Sequence, residues 1–441
     1  MKNLKTTLAA FSCAALLSSV AGQALAANWL MLQGTERDSA APRAKLWGFI
    51  QTQYQKDYSD PGPTPGGGDG YVPPKLIGPN LDDQDGFNVN RARIGVRGQG
   101  FPLDGKVNYF ILAELGNNGI TYGSDGKILS DASITLNYIK GARIRMGLFK
   151  YPGAEEGLQA IHVFDYVNFT QVSNQMLLER FSTSNDTNHV PPSDVPNADM
   201  NAYSRSVGAF RDVGVQVFDS FKSGNWDTSY ALMYGNGNGL NYADNDSNKD
   251  TYVYLSTERA YGGKGPFLQS LKFWVWGQSG KRTNPYDTSQ EFDRTRSGIG
   301  VKYFKKPFRI TAEYMSGKGV IFQGQHRATM QYNDEKADGY YLDLGWYIPH
   351  SNWEIDLRYD KYTRGEHLTQ GPNYNPGTVL SSANDESRFE TVTIGTQYHF
   401  NKKTKLQIEY ADRSFESDTP QVNAQLKDVK GRLAVQVTHI F

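Results

Sequence analysis

Residues 87–98 read FNVNRARIGVRG. Written as an extended strand, they put Arg91, Arg93 and Arg97 on one face and Ala92, Ile94 and Val96 on the other. Fixed guanidiniums in a row attract anions, as rings of Arg or Lys do in anion-conducting pores, while the opposite face suits hydrocarbon. The same two-residue spacing returns as Arg143 and Arg145 in ARIRMG and as Arg294 and Arg296 in DRTRSG, with Arg309 following in FRITAEY. These eight form a candidate basic ladder along one wall. The competing reading is bracing, in which each arginine pairs with an inward carboxylate. Glu114, Asp131, Glu313, Asp343, Glu354 and Asp356 are available for that role.

Other stretches carry weaker chemistry. ADNDSNKD sets Asp244, Asp246, Asn248 and Asp250 at two-residue spacing, a hard-oxygen pattern that suits calcium, but it lacks the central Gly and distal Glu of an EF-hand loop, so a solvated loop competes with it. NGNG at 236–239 follows a strand without opening a helix and reads as a turn, and PGGGDG reads as a flexible loop. The seven histidines, His162, His189, His326, His350, His367, His399 and His439, have no Ser or Asp at a recognisable catalytic spacing, and no G-x-S-x-G elbow occurs. The chain therefore does not read as an enzyme and calls for no cofactor. An outer-membrane barrel hydrolase and a structural or adhesive barrel are the alternatives from other classes.

The elements that must position these residues show in the hydropathic period. In NWEIDLRYD, Trp353, Ile355, Leu357 and Tyr359 oppose Glu354, Asp356, Arg358 and Asp360; DASITLNYI alternates in the same way. Strand starts fall near residues 45, 87, 106, 130, 142, 207, 226, 251, 270, 294, 308, 338, 352, 388, 404 and 430, an even number. The links alternate in length. QGFPLDG, a single Gly141, KKP, PHS and NKK are short, whereas 56–86, 151–206, 317–337 and 363–387 are long. This is the plan of an all-β, transmembrane antiparallel β-barrel of 16 strands with short periplasmic turns and long extracellular loops. A barrel of that size encloses water, and a charge on its lipid side would cost ~2–4 kcal/mol at mid-depth. The arginines accordingly face the lumen.

The chain ends agree with export. Residues 1–26 carry Lys2 and Lys5, an apolar run from Leu8 to Val20 and Ala24-Leu25-Ala26, the layout of a cleaved signal peptide. The lone Cys13 lies inside it, so the mature chain is expected to be free of thiols. Residues 27–44 read as an N-terminal periplasmic segment and 45–441 as the barrel. With 46 basic and 46 acidic residues, no global positive field argues for nucleic acid. A mean hydropathy of −0.57 fits a barrel whose lipid-facing and water-facing residues average out.

FNVNRARIGVRG also resembles the F-x-x-x-R-A-R-x-G-x-x-G signature of the phosphate-selective O/P porins. LSDASITLNYI, ARIRMGLFKYPG, GAFRDVGVQVF, YALMYGNGNGLN and TIGTQYHFNKKTKLQIEYA follow in that family's order. RLAVQVTHIF resembles the terminal strand of outer-membrane proteins, with His439 a departure. The resemblance implies a homotrimer in the outer membrane of a Gram-negative bacterium, in contact with lipid and lipopolysaccharide. It also implies a third loop, here 151–206, folded inward to narrow the channel. The function implied is passive diffusion of small hydrophilic solutes and ions, with a preference for inorganic anions such as phosphate or other oxyanions. The loop departs from the phosphate-specific pattern of a cationic constriction: Glu155, Glu156, Asp165, Glu179, Asp186, Asp194 and Asp199 face only Arg180 and Arg205.

Overall fold

The computed structural model describes residues 28–32, 43–59, 85–100, 104–118, 120–121, 128–178, 208–240, 244, 246–263, 268–283, 289, 291–321, 336–365, 386–418, 423, 426–427 and 429–441. The strands are β1 (Lys45–Asp57), β2 (Asp85–Gln99), β3 (Val107–Glu114), β4 (Leu129–Leu136), β5 (Arg143–Lys150), β6 (Arg211–Ser223), β7 (Trp226–Gly235) and β8 (Asp250–Gly262). They continue as β9 (Gln269–Thr283), β10 (Glu291–Lys305), β11 (Phe308–Lys318), β12 (Lys336–Tyr347), β13 (Trp353–Gly365), β14 (Glu386–His399), β15 (Thr404–Ser417) and β16 (Arg432–Ile440). Each pairs antiparallel with its neighbour in the chain, and β1 closes on β16 through pairs such as Gln51 with Thr438. Closure leaves no strand edge unpaired, which the membrane interior requires.

The alternation read from the sequence sets the two faces. On β13, Trp353, Ile355 and Leu357 are 41–42% exposed on the outside, whereas Glu354, Asp356, Arg358 and Asp360 inside are at most 2% exposed. Aromatic side chains cluster outside near the periplasmic turns, where Trp353 meets Tyr398 at 4.8 Å and Tyr398 meets Phe400 at 4.9 Å. This is the interfacial girdle of a membrane barrel. Short and long links alternate as expected, with one correction. β4 stops at Leu136, so its turn runs from 137 to 142 and is not a single Gly141. Asn137 ends the strand by turning its backbone N–H (2.8 Å) and side-chain amide (3.1 Å) onto the Lys106 carbonyl in the neighbouring turn.

Two β-bulges lie on one wall. Gln51 pairs with Arg91 and Thr52 with Val89, so Asn90 is the extra residue of β2; Leu112 pairs with Asp131 and Ala113 with Leu129, so Ser130 is the extra residue of β4. A bulge flips the faces beyond it. Phe87 and Val89 share odd parity with Arg91 and Arg93, yet the first two point outward and the arginines inward. Strict alternation through FNVNRARIGVRG does not hold, and the bulge at Asn90 is what frees the arginines from the parity of Phe87.

Inside the barrel, the segment after β5 turns inward. Its described part, 151–178, forms α2 (Glu155–Leu158), a 3-10 turn (Ile161–Val163) and a π turn (Ser173–Leu177). The short helix α1 (Trp29–Leu32) is buried as well: the Asn28 side chain donates to the Ser229 hydroxyl on β7. Trp29, Leu30 and Met31 join the buried apolar cluster that includes Phe49, Phe149, Phe218 and Tyr252. The segment read as periplasmic thus places residues 28–32 against the barrel wall. The lumen is partly packed with aromatic side chains, which a polar inner face does not foretell.

Candidate functional site

On β2 to β6 the inner wall is rich in cations. Arg93 pairs with Glu114 at 2.6 Å, Arg211 with Asp131 at 2.9 Å and Arg143 with Asp219 at 3.3 Å. Glu114 is further held by the backbone N–H groups of Ala92 (3.0 Å) and Gly116 (2.9 Å). Arg91 donates to the Gln51 side-chain carbonyl at 3.0 Å. The guanidinium of Arg145 lies 4.3 Å from the Phe218 ring centre and that of Arg97 5.8 Å from Phe110, arrangements in which a ring face accepts a cation. Lys150, at the inner end of β5, donates to the Gln159 carbonyl of the loop at 2.7 Å.

The opposite wall holds the third loop through its acidic residues. Lys272 on β9 pairs with Glu155 at 2.6 Å, Arg309 on β11 with Asp165 at 3.0 Å, and Arg358 on β13 with Glu156 at 3.8 Å. Arg309 also binds Glu354 at 3.0 Å and Asp356 at 2.5 Å. Glu313 receives the indole N–H groups of Trp274 and Trp276 and the Tyr341 hydroxyl, each at 2.8 Å, and the Glu155 backbone N–H at 3.1 Å. Gly298 and Gly300 leave room for those indoles, because a Cβ there would sit 2.5 Å from Trp276 Nε1 and 2.1 Å from Trp274 Cζ2. Glu409 accepts the Val167 backbone N–H at 2.8 Å, and Asp360 accepts that of Gln171 at 2.8 Å. Burial pushes the Glu156 carboxyl above the usual range, against the opposing pull of Arg358, Ser173 and Thr170. Burial, then Arg93, Lys150 and Lys405, lowers the His162 imidazole to about 3. The described acidic residues of the loop therefore anchor it to cations of the opposite wall.

A model of the Gram-negative porin family matches residues 10–418. The chain belongs to the Gram-negative porin family. No curated protein matches the sequence. Among solved structures, the anion-selective porin from Comamonas acidovorans aligns with a TM-score of 0.50 at 13% identity, over 91% of this chain and 100% of that one. The Salmonella typhi OmpF complex with daunomycin aligns at 0.51 and 13% identity, over 90% and 97%. OmpTdeltaL8 of Vibrio cholerae, a loop L8 deletion mutant, aligns at 0.50 and 10%, over 91% and 100%. At such identities these likenesses speak for the fold alone. The family and the closed barrel make the chain an outer-membrane channel for solutes.

Within this porin the eight arginines do not form one ladder. Arg91, Arg93, Arg97, Arg143 and Arg145 share the β2–β5 wall, whereas Arg294, Arg296 and Arg309 stand on β10 and β11. Arg294 lies 3.9 Å from Asp250. Arg296 caps carbonyls of the inward loop and of the β11 end, donating to Met176 (3.1 Å), Gly319 (2.9 Å) and Val320 (2.8 Å). Bracing ion pairs occur on both walls, through Arg93 and Arg143 on the first and Arg294 and Arg309 on the second.

The oxygens of the calcium-like stretch are taken up by protein groups. Asp250 binds Arg282 at 2.8 and 2.9 Å, Asp246 accepts from Thr283 at 3.0 Å, and Lys249 pairs with Asp244. Among the described residues no cluster of three or more His, Cys, Asp or Glu is arranged for a metal. Glu179, Arg180, Asp186, Asp194, Asp199 and Arg205 lie outside the described residues, as does the leader 1–26.

Sequence reading missed Lys150, Arg211, Glu409 and the two indoles. Lys150 and Arg211 stand at the ends of their strands, and the other three are chosen by the loop.

Proposed function

We propose that this porin is a passive channel for small hydrophilic solutes that prefers anions over cations. One observation carries this reading: the inner wall from β2 to β6 holds Arg91, Arg93, Arg97, Arg143, Arg145, Lys150 and Arg211 against Glu114, Asp131, Asp212 and Asp219. On the facing wall the described loop carboxylates are engaged in ion pairs, and the β2–β6 wall is the strip on which cations outnumber carboxylates. Fixed cations in a narrow, low-dielectric passage raise the local anion concentration. The order of motifs shared with the phosphate-selective O/P porins supports inorganic oxyanions among the solutes. Selectivity for phosphate in particular is not part of this reading.

A homotrimer completes it. β3, β4 and β5 have 8 residues each, fewer than the ~9–11 a strand needs to span the hydrocarbon. Their outer face is apolar, with Ile111, Ile134, Leu136 and Met146 exposed. A short apolar wall is best covered by the same wall of two further copies, while the taller strands meet lipid and lipopolysaccharide. Export by residues 1–26, with cleavage after Ala26, belongs to the same reading.

The deciding experiment is the reversal potential of single channels in a planar bilayer under a KCl gradient. Discrete ohmic steps with a potential of the sign set by chloride are expected. A potential set by potassium would overturn the anion preference, and an absence of steps would overturn the open channel.

A further inference from the structure

A cavity of about 640 Å³ lies between the third loop and the basic wall, reaching the periplasmic mouth at Lys45, Lys403 and Phe441. Among the described residues that line it, six have cationic side chains, Lys45, Arg93, Arg97, Lys150, Arg211 and Lys403, and Asp131 has the one acidic side chain. Asp131 is committed to Arg211, and Arg93 to Glu114 behind the lining. Lys150 turns its ammonium to a loop carbonyl.

The rest of the lining is apolar and flat. Trp47 stacks with Phe110 (5.9 Å, 17°) and with Phe49 (6.5 Å, 29°), and His162 packs on Phe49 at 5.0 Å. Trp29 and Leu158 add apolar surface to the lining. An inorganic ion would gain from the cations but nothing from the rings, and it would fill a small part of this volume. Cavities of several hundred Å³ with a mainly apolar lining and a few convergent charges suit small organic molecules.

We propose that this cavity is a binding site on the conduction path for organic monoanions with a flat apolar body. The acidic head group lies toward Arg97 and Lys150, and the body lies along the Trp47 and Phe110 rings. Both parts are needed: the cations desolvate poorly without an anion, and the rings offer contact area that a small hydrophilic anion cannot use. The inference rests on the anion-preferring channel above and sharpens it from charge sign to solute class.

The test compares sodium benzoate, sodium acetate and benzylammonium chloride on single channels of the full protein, in a bilayer at constant low salt. Benzoate is expected to interrupt the chloride current at a concentration at least about tenfold below that needed with acetate, and benzylammonium to do so no better than acetate. Trp47→Leu and, separately, Phe110→Leu should raise the benzoate concentration required and leave that for acetate in place. Because the solute comparison is made on the unaltered chain, a variant that fails to fold does not decide the matter. Benzoate acting no better than acetate on a chloride-selective channel would overturn this site and leave the anion preference standing. A potassium-selective channel that ignores benzoate would overturn both.

Discussion

At the scale of single residues, the cations of the lumen divide by what they touch. Arg93 is tied to Glu114, which is buried and accepts two backbone N–H groups besides. Arg93→Gln would leave that carboxylate without its cation, a loss of ~3–5 kcal/mol for a buried pair broken on one side. Heated samples of this variant should lose their compact gel mobility at a lower temperature than the parent, and an unshifted transition would show that the pair is not structural. His162 gives a prediction about pH. Its folded-state value of about 3 lies below the ordinary ~6.5, so the unfolded chain takes up a proton first as pH falls. This residue is therefore neutral for stability above pH ~6.5 and increasingly destabilising from there down to about 3. Arg93 from β2, Lys150 from β5 and Lys405 from β15 face it and oppose its protonation. His162→Gln should lose less thermal stability than the parent between pH 7 and pH 4, while both keep the same dependence of reversal potential on pH. A larger acid loss in the variant would contradict this assignment.

Elements determine how open the channel is. The inward loop is held at Glu313, which takes four donors from β9, β12 and the loop itself. Replacing Glu313 by Leu leaves those donors buried without an acceptor, at ~1–3 kcal/mol each, so the loop should loosen; current noise within the open level should rise. Quiet openings equal to the parent would mean that the ion pairs of Arg309 and Arg358 suffice to hold it. The helix α1 occupies the wall near Ser229, and deleting residues 28–32 should increase single-channel conductance. An unchanged conductance would place those residues off the path. The strands themselves were legible in the sequence because period-2 alternation and turn residues act locally: the largest displacements are β6, expected from 207 and starting at Arg211, and β10, expected from 294 and starting at Glu291. The bulges at Asn90 and Ser130 were not legible, since alternation does not mark where an extra residue slips a register. The parity clash between Phe87 and Arg91 was the available signal. Phe49 and Phe218 point inward, where Phe49 meets His162 of the loop and Phe218 the Arg145 guanidinium, and Lys150 and Glu409 become site residues through hydrogen bonds to the loop. Such partners are more than 100 positions away in the chain for Glu409 and Val167, beyond any local pattern.

For the whole molecule, the proposed anion preference depends on how charge is distributed around the lumen. The loop carries Glu155, Glu156 and Asp165 onto the β9–β13 side, where Lys272, Arg358 and Arg309 engage them, and the β2–β6 wall is proposed to set the field along the open path. The sequence sets an acidic third loop against a phosphate-specific constriction; in the barrel its described carboxylates, Glu155, Glu156 and Asp165, are engaged by cations of the wall. The range of the field separates selectivity from bracing. Screening extends over ~8 Å at physiological salt and only ~3 Å at 1 M, so a wall of cations acts on a passing ion at low salt and much less at high salt. Arg97 and Lys150 are the residues to change, because both line the cavity, Arg97 beside the Phe110 ring and Lys150 at the Gln159 carbonyl. The double change Arg97→Gln with Lys150→Gln should lower the chloride-over-potassium permeability ratio at 0.1 M or below, roughly severalfold if each charge contributes on the order of 0.5–1 kcal/mol in the passage. At 1 M the double variant and the parent should converge, and the temperature at which compact gel mobility is lost should stay close to that of the parent. A ratio that is unchanged at low salt while thermal stability falls would assign these two cations to bracing as well, and the anion preference would then have to come from residues nearer the mouths.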